Sequence, residues 1–244
     1  MLSVIIPMYN EKTVISSTLR TLTEHMEKTT DGPCSYEILL CDDGSDDGCG
    51  DIAQNTAAEL TLKNGCVRLI RAEKNAGKGA AVRMGMLAAE GDFRLFTDSD
   101  LAYGCEVITA MAQHAEETDA KILIGSRAIH PEGYAGYTPI RRLASKVFVR
   151  LLAATAGFSL SDSQCGIKLF AKEAAQEIFS RCEVNGWAFD FEVLLLGEKL
   201  GYRISEFPVT VINHRESKVR LLKDSWKMMR DVGRIRKRVK NLSL

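Results

Sequence analysis

Asp98 and Asp100 stand one residue apart in Phe96-Thr97-Asp98-Ser99-Asp100, where an apolar run ends in two carboxylates. Two carboxylates at that spacing can share one hard divalent cation, and such a cation neutralises phosphate oxygens. Most isolated Asp-x-Asp triplets are solvated turns or helix caps. This one gains weight because two other polar clusters also follow apolar runs: Pro7-Met8-Tyr9-Asn10-Glu11 after residues 2–6, and Asp42-Asp43-Gly44-Ser45-Asp46-Asp47-Gly48 after residues 36–41. In open α/β sheets, ligands bind beyond the carboxyl ends of strands, where all three clusters would lie.

Each cluster has a structural and a chemical reading. Pro7 can stop a strand, and Asn10 or Glu11 can begin a helix; chemically, Tyr9 and Glu11 can face the base and ribose of a nucleotide. Asp42, nearest the strand end, can accept from a base edge, while Asp46 or Asp47 caps the next helix. Asn75-Ala76-Gly77-Lys78-Gly79 fails the Walker pattern, because Ala72 replaces its first glycine and Gly79 its hydroxyl residue, which argues against an ATPase. Lys78 at a glycine-flanked helix start can still face a diphosphate. Asp162, in a turn, can orient a ligand, take a proton from a hydroxyl, or simply shape the turn. Asp190 and Glu192, two apart on a helix, face different directions, so at most one of them faces a given site and Glu192 is read as the structural one. Arg141 and Arg142 at a helix start oppose its dipole, which favours an anion site there. The four histidines show no metal spacing.

The elements that must position these residues alternate. Strands are expected at residues 2–6, 36–41, 67–71, 92–97 and 121–124, and helices near 12–28, 48–62, 79–89 and 106–117. That alternation predicts βαβ units and a mostly parallel sheet. A loop is expected at 128–138, then helices at 141–156, 171–182 and 189–200, a strand at 203–212, and a basic amphipathic helix from about 219 to 239. The chain of 244 residues is 45% apolar and 26% charged, ordinary for a folded domain. Its 32 basic and 32 acidic residues cancel, so no global nucleic-acid signal exists. Seven cysteines without a CxxC pair suggest reduced thiols in the cytosol. No signal peptide or spanning segment is expected.

In order and spacing, Pro7-x-Tyr9-Asn10-Glu11, Asp42-Asp43-Gly44-Ser45, Asn75-x-Gly77-Lys78-Gly79 and Asp98-x-Asp100 resemble the inverting family 2 glycosyltransferases. Gly125-Ser126-Arg127, Asp162-Ser163-Gln164-Cys165-Gly166-Ile167-Lys168-Leu169-Phe170, Trp187-Ala188-Phe189-Asp190-x-Glu192 and Ser217-Lys218 are similar to the dolichyl-phosphate glucosyltransferase branch, with the mannose synthases as close cousins. The resemblance implies a GT-A fold (α/β, a Rossmann-like, mostly parallel sheet flanked by helices) over residues 1–218, followed by the basic helix at 219–244. It implies that Pro7, Tyr9, Glu11, Asp42 and Lys78 hold the nucleotide sugar, with Asp190 at the sugar. Asp98 and Asp100 would bind Mg²⁺ or Mn²⁺. Arg127, Arg141, Ser145 and Ser217 would bind the acceptor phosphate, and Lys218 would offset charge on the leaving group. Asp162 is the candidate catalytic carboxylate. Asp98-Ser99-Asp100 departs mildly from the usual Asp-Ala-Asp, and the membrane spans that flank the catalytic domain in many relatives are not expected here. The expected activity is glucose transfer from UDP-glucose to a polyprenyl or dolichyl phosphate, at the cytoplasmic face of a membrane that the basic helix contacts. Alternatives are GDP-mannose as donor, a soluble hydroxyl acceptor, or nucleotide-sugar binding without turnover.

Overall fold

The computed structural model describes residues 1–32, 34–137, 160–213 and 221–242, with 221–230 as backbone only. Seven strands form one sheet: β1 Leu2–Met8, β2 Tyr36–Asp42, β3 Gly65–Arg71, β4 Phe93–Phe96, β5 Ile122–Ser126, β6 Lys168–Ala171 and β7 Ile204–Pro208. The helices are α1 Ile15–Thr29, α2 Cys49–Glu59, α3 Lys78–Ala88, α4 Glu106–Thr118, α5 Lys172–Phe179, α6 Phe189–Lys199 and α7 Leu221–Asn241.

The strand order is β3-β2-β1-β4-β6-β5-β7, and every pairing is parallel except those of β6. β1 and β2 are buried along their whole length, as their largely apolar runs require of strands covered on both faces, with Ser3 and Glu37 hydrogen-bonded to each other. Alternate residues feed two cores. Val4 and Ile6 pack with Leu19, Leu22 and Ile108 of α1 and α4, whereas Ile5 and Phe96 pack with Val82, Phe170 and Phe189 across the other face. Strand order reverses between β1 and β4, which makes that edge the expected crevice.

Two sequence expectations need correction. Pro7 does not end β1, which runs on to Met8 with Pro7 opposite Cys41. The ladder to β4 already ends at Ile5↔Phe96, and Pro7 faces the same side as Ile5, so its missing N–H breaks no ladder bond. Strand β6 is absent from the expected elements. It runs antiparallel between β4 and β5, which brings its first residue, Lys168, level with Phe96 and Ile124 at the carboxyl edge.

The last helix is anchored over its second half. Val232, Ile235 and Val239 are buried in the core that contains α6. The Lys199 ammonium at the end of α6 donates to the carbonyls of Val239, Lys240 and Leu242 at 2.7, 2.9 and 2.7 Å, closing the helix C-terminus. Arg238 pairs with Glu183 and with the fully buried Glu192. Over residues 231–242 the apolar stripe is therefore spent on the core beside α6, while Arg234 stays 72% exposed. Among the described residues, no helix is long and apolar enough to cross a membrane.

Candidate active site

The loops after β1, β2 and β3 are braced together. Asn10, at φ 54°, donates its backbone N–H to Ser45 Oγ at 3.0 Å and accepts from the Asp46 amide at 3.1 Å. Asp47 accepts from the amides of Lys12 and Cys49, both at 2.9 Å. Asp42, 3% exposed, accepts from the Ser45 amide at 3.0 Å. Asp43, which sequence reasoning passed over, staples the next loop: it accepts from the Ala76 and Gly77 amides at 2.9 and 2.7 Å and from the Asn75 side chain at 2.9 Å. Pro7, Tyr9, Glu11 and Asp42 thus lie together at the carboxyl ends of β1 and β2. Tyr9 is 41% exposed there.

The start of α3 is not an open phosphate loop. The Gly79 and Ala80 amides donate to the Asn185 carbonyl at 2.8 and 3.4 Å, and the Gly77 amide is held by Asp43. Gly77 turns at φ 114°, and a Cβ there would stand 2.5 Å from the Asn185 oxygen. At this helix start the Lys78 side chain already meets a carboxylate. Its Nζ lies 2.5 Å from Asp98 Oδ1 and 5.4 Å from the Trp187 ring centre. Burial works against that ammonium, but Asp98, Asp190 and Asp100 outweigh it, and its pKa is raised above the usual lysine value.

Asp98 and Asp100 follow β4. Asp100 accepts from the Ala102 amide at 3.1 Å, and its carbonyl accepts from the Asn213 side chain at 3.2 Å. Among the described residues, no group of three or more His, Cys, Asp or Glu side chains could hold a metal ion. Two carboxylates beside a lysine fit a cation such as Mg²⁺ or Mn²⁺ that takes its remaining ligands from phosphate oxygens and water.

Gly166 lies against this pair, where a Cβ would fall 2.5 Å from Asp98 Oδ2. The turn that carries it, from Asp162 to Gly166, is clamped throughout. Arg127 grips buried Asp162 in bidentate fashion, Nε to Oδ2 at 2.6 Å and Nη2 to Oδ1 at 2.8 Å, and the Arg127 amide adds a third bond at 3.1 Å. The Lys168 ammonium donates to the Cys165 carbonyl at 2.7 Å, and the Gly166 amide donates to the Tyr103 hydroxyl at 3.2 Å. Burial pushes the Cys165 thiol up to about 11, so it is no nucleophile at neutral pH. Two side-chain groups of this turn, Ser163 Oγ and Gln164 Nε2, are buried with no hydrogen-bond partner among the described residues.

Asp162 thus holds Arg127 rather than presenting a bare carboxylate. Burial costs the Arg127 guanidinium, yet Asp162 holds its pKa well above the usual value. Among the described residues, three of its five N–H donors are engaged, two by Asp162 and one by the Tyr137 hydroxyl at 3.2 Å. Asp190 sits in the first turn of α6, with Oδ1 2.5 Å from the ammonium of the fully buried Lys168. Glu192 faces away, accepting from the Glu183 and Val184 amides and from Arg238. Arg141, Ser145, Ser217 and Lys218 lie outside the described residues. Lys168 and Asp43 escaped sequence reasoning because each stands beside a residue that drew the attention: Lys168 inside an apolar stretch, Asp43 behind Asp42.

A mixed, mostly parallel sheet with Asp-x-Asp at the switch point defines the GT-A class of glycosyltransferase. In fold the chain is similar to glucosyl-3-phosphoglycerate synthase from Mycobacterium tuberculosis, whose structure holds Mn²⁺, uridine diphosphate and phosphoglyceric acid; the TM-score is 0.68 at 19% identity, over 100% of this chain and 80% of that one. The family model described as Glycosyl transferase family 2 matches residues 3–179, and the chain belongs to that family. It is 32% identical to a dolichyl-phosphate beta-glucosyltransferase of Dictyostelium discoideum, over 96% of this chain and 73% of the relative. Against the enzymes of that name from Saccharomyces cerevisiae and Drosophila melanogaster, identity is 33% and 36%, covering 74% and 66% of their lengths. The protein is a glycosyltransferase.

Proposed function

We propose that this enzyme transfers glucose from UDP-glucose to a dolichyl-type polyprenyl phosphate, with inversion at the anomeric carbon, on the cytoplasmic face of a membrane. The observation that carries the reading is the meeting of Lys78, Asp98 and the Asp162–Gly166 turn at one sheet edge, with Arg127 behind the turn. The relatives' shared name supplies the donor sugar and the lipid acceptor.

A phosphate oxygen of the acceptor attacks C1 of glucose while the bond from C1 to the diphosphate oxygen breaks. The acceptor phosphate is already an anion near neutral pH, so no protein base need take a proton. That agrees with an Asp162 committed to Arg127. The two N–H donors of Arg127 that have no partner among the described residues can bind the acceptor phosphate, with Arg141, Ser145 and Ser217 as further contacts. Lys78 offsets charge that develops on the departing diphosphate, and Lys218 is assigned to the same task. Tyr9, Glu11, Pro7 and Asp42 cradle the nucleoside. Mg²⁺ or Mn²⁺, held by Asp98 and Asp100, would supply further neutralisation of the diphosphate. The exposed cations of α7 supply attraction to an anionic membrane surface, each worth roughly 1 kcal/mol.

Purified protein, dolichyl phosphate in detergent or vesicles and a panel of labelled nucleotide sugars test the reading. Glucose on lipid phosphate, from UDP-glucose in preference to GDP-mannose and lost on chelation, is the expected product. Label only on a soluble acceptor, or no transfer from any donor, refutes it.

A further inference from the structure

Lys168 is fully buried, an uncommon place for an ammonium unless its donors are engaged. Here they are. Nζ reaches Asp190 Oδ1 at 2.5 Å and the Cys165 carbonyl at 2.7 Å, and it lies 5.4 Å from the Phe96 ring centre. The antiparallel turn of β6 puts this lysine at the carboxyl edge, level with Phe96, two residues before Asp98. Its ammonium therefore joins three parts of the site: the first turn of α6, the Asp162–Gly166 turn, and the strand that ends at the carboxylate pair. Asp190 is 7% exposed, and Lys78 and Asp98 lie near enough to act on its charge. Among the described residues, the hydrogen bond to Lys168 occupies Oδ1, which leaves Oδ2 to accept from a ligand.

We propose that Lys168 is a positioning residue for the transferred hexose: it holds Asp190 aimed so that the carboxylate accepts a hydrogen bond from a sugar hydroxyl. This rests on the glycosyl-transfer reading above. A plain structural ion pair would not need to stand beside the diphosphate lysine, nor to tie the sugar side to the turn that flanks Asp98. An ion pair that acts through Asp190 makes a specific demand: Lys168 must matter only while Asp190 keeps its charge.

A double-mutant cycle tests this. Lys168→Met, Asp190→Asn and the double variant are compared for kcat/KM with the nucleotide sugar that the wild type uses, for UDP affinity by calorimetry, and for the thermal transition. Each single variant is expected to lose on the order of 10- to 100-fold in kcat/KM, the effect of one charged hydrogen bond. The double variant, with both charges of the buried pair removed, is expected to fold as stably as the wild type within a few degrees. Its activity should fall no further than that of Asp190→Asn, and its UDP affinity should stay within about threefold of the wild type. Losses that multiply in the double variant overturn the proposal, as does activity restored to wild type, which marks a merely structural pair. Loss of UDP binding in the stable double variant overturns it too. A wild type that uses another donor refutes only the UDP-glucose assignment, since the cycle then runs on that donor; a wild type without any transfer refutes both.

Discussion

Removing the Lys78 ammonium should make the enzyme bind a divalent cation more tightly when no nucleotide is present. Lys78 Nζ lies 2.5 Å from Asp98 Oδ1, so a cation arriving at Asp98 must first displace a charge already there. The lysine side chain is 16% exposed and the aspartate 36%, so the pair is neither bulk-solvated nor dry. Exposed ion pairs contribute about 0–1 kcal/mol and charge-assisted hydrogen bonds about 1.5–3 kcal/mol. Screening at Asp98 sets the expected value near 1.5 kcal/mol, which corresponds to about tenfold in affinity. Lys78→Met keeps the length and the apolar stem while deleting the charge that lies over the Trp187 ring. Mn²⁺ titration followed by electron paramagnetic resonance should thus show about tenfold tighter binding to the variant in the absence of nucleotide. With UDP present the sign should reverse, because the ammonium then faces the diphosphate. Mn²⁺ affinity that is unchanged or weaker in the variant without nucleotide would refute the reasoning.

Other perturbations probe the neighbouring contacts. Gly166→Ala places a methyl 2.5 Å from Asp98 Oδ2, the far end of a movable side chain, so the fold should survive while Mn²⁺-dependent UDP binding falls by about tenfold or more, measured by calorimetry. Asp162→Asn leaves the Arg127 guanidinium without its charge partner and should cost about 3 kcal/mol, a drop of roughly 10 °C in a thermal melt; an unchanged transition would deny the clamp. Glu37, 2% exposed, is pushed up by burial but held below the usual glutamate pKa by the Glu90 amide, the Ser3 hydroxyl and Arg68. A depressed folded pKa stabilises above the unfolded value of 4.5 and loses that contribution as pH falls through the folded value. Glu37→Gln should therefore cost about 1.5–3 kcal/mol at pH 7, with the gap to wild type narrowing below about pH 4.5 in urea titrations.

The elements carrying the first half of the site were legible because their apolar runs are long and each ends in turn and acid residues. Leu2–Met8, Tyr36–Asp42 and Phe93–Phe96 all announce themselves this way, and from the chain alone Asp42 and Asp98 could be placed at strand ends and Lys78 at a helix start. β6 was not legible. It has four residues, opens on a lysine that reads as a surface charge, and runs straight into α5. Its strand character comes from β4 and β5 on either side, a tertiary effect with no local periodicity. Partnership was equally hidden. The acids after β2 look interchangeable in sequence, yet one faces the Ser45 amide and its neighbour the Asn75–Gly77 loop, a division that the fold of the following loop decides. Arg127 and Asp162 were read as separate agents, and only the approach of distant segments makes them one unit.

The mutual bracing of the loops after β1, β2 and β3 has a consequence for how this enzyme can vary. Asn10, Ser45, Asp43 and Asn75 each satisfy a group in a different connection, so replacing one leaves an orphan in another. These three short connections should consequently drift as a block, changing together or hardly at all.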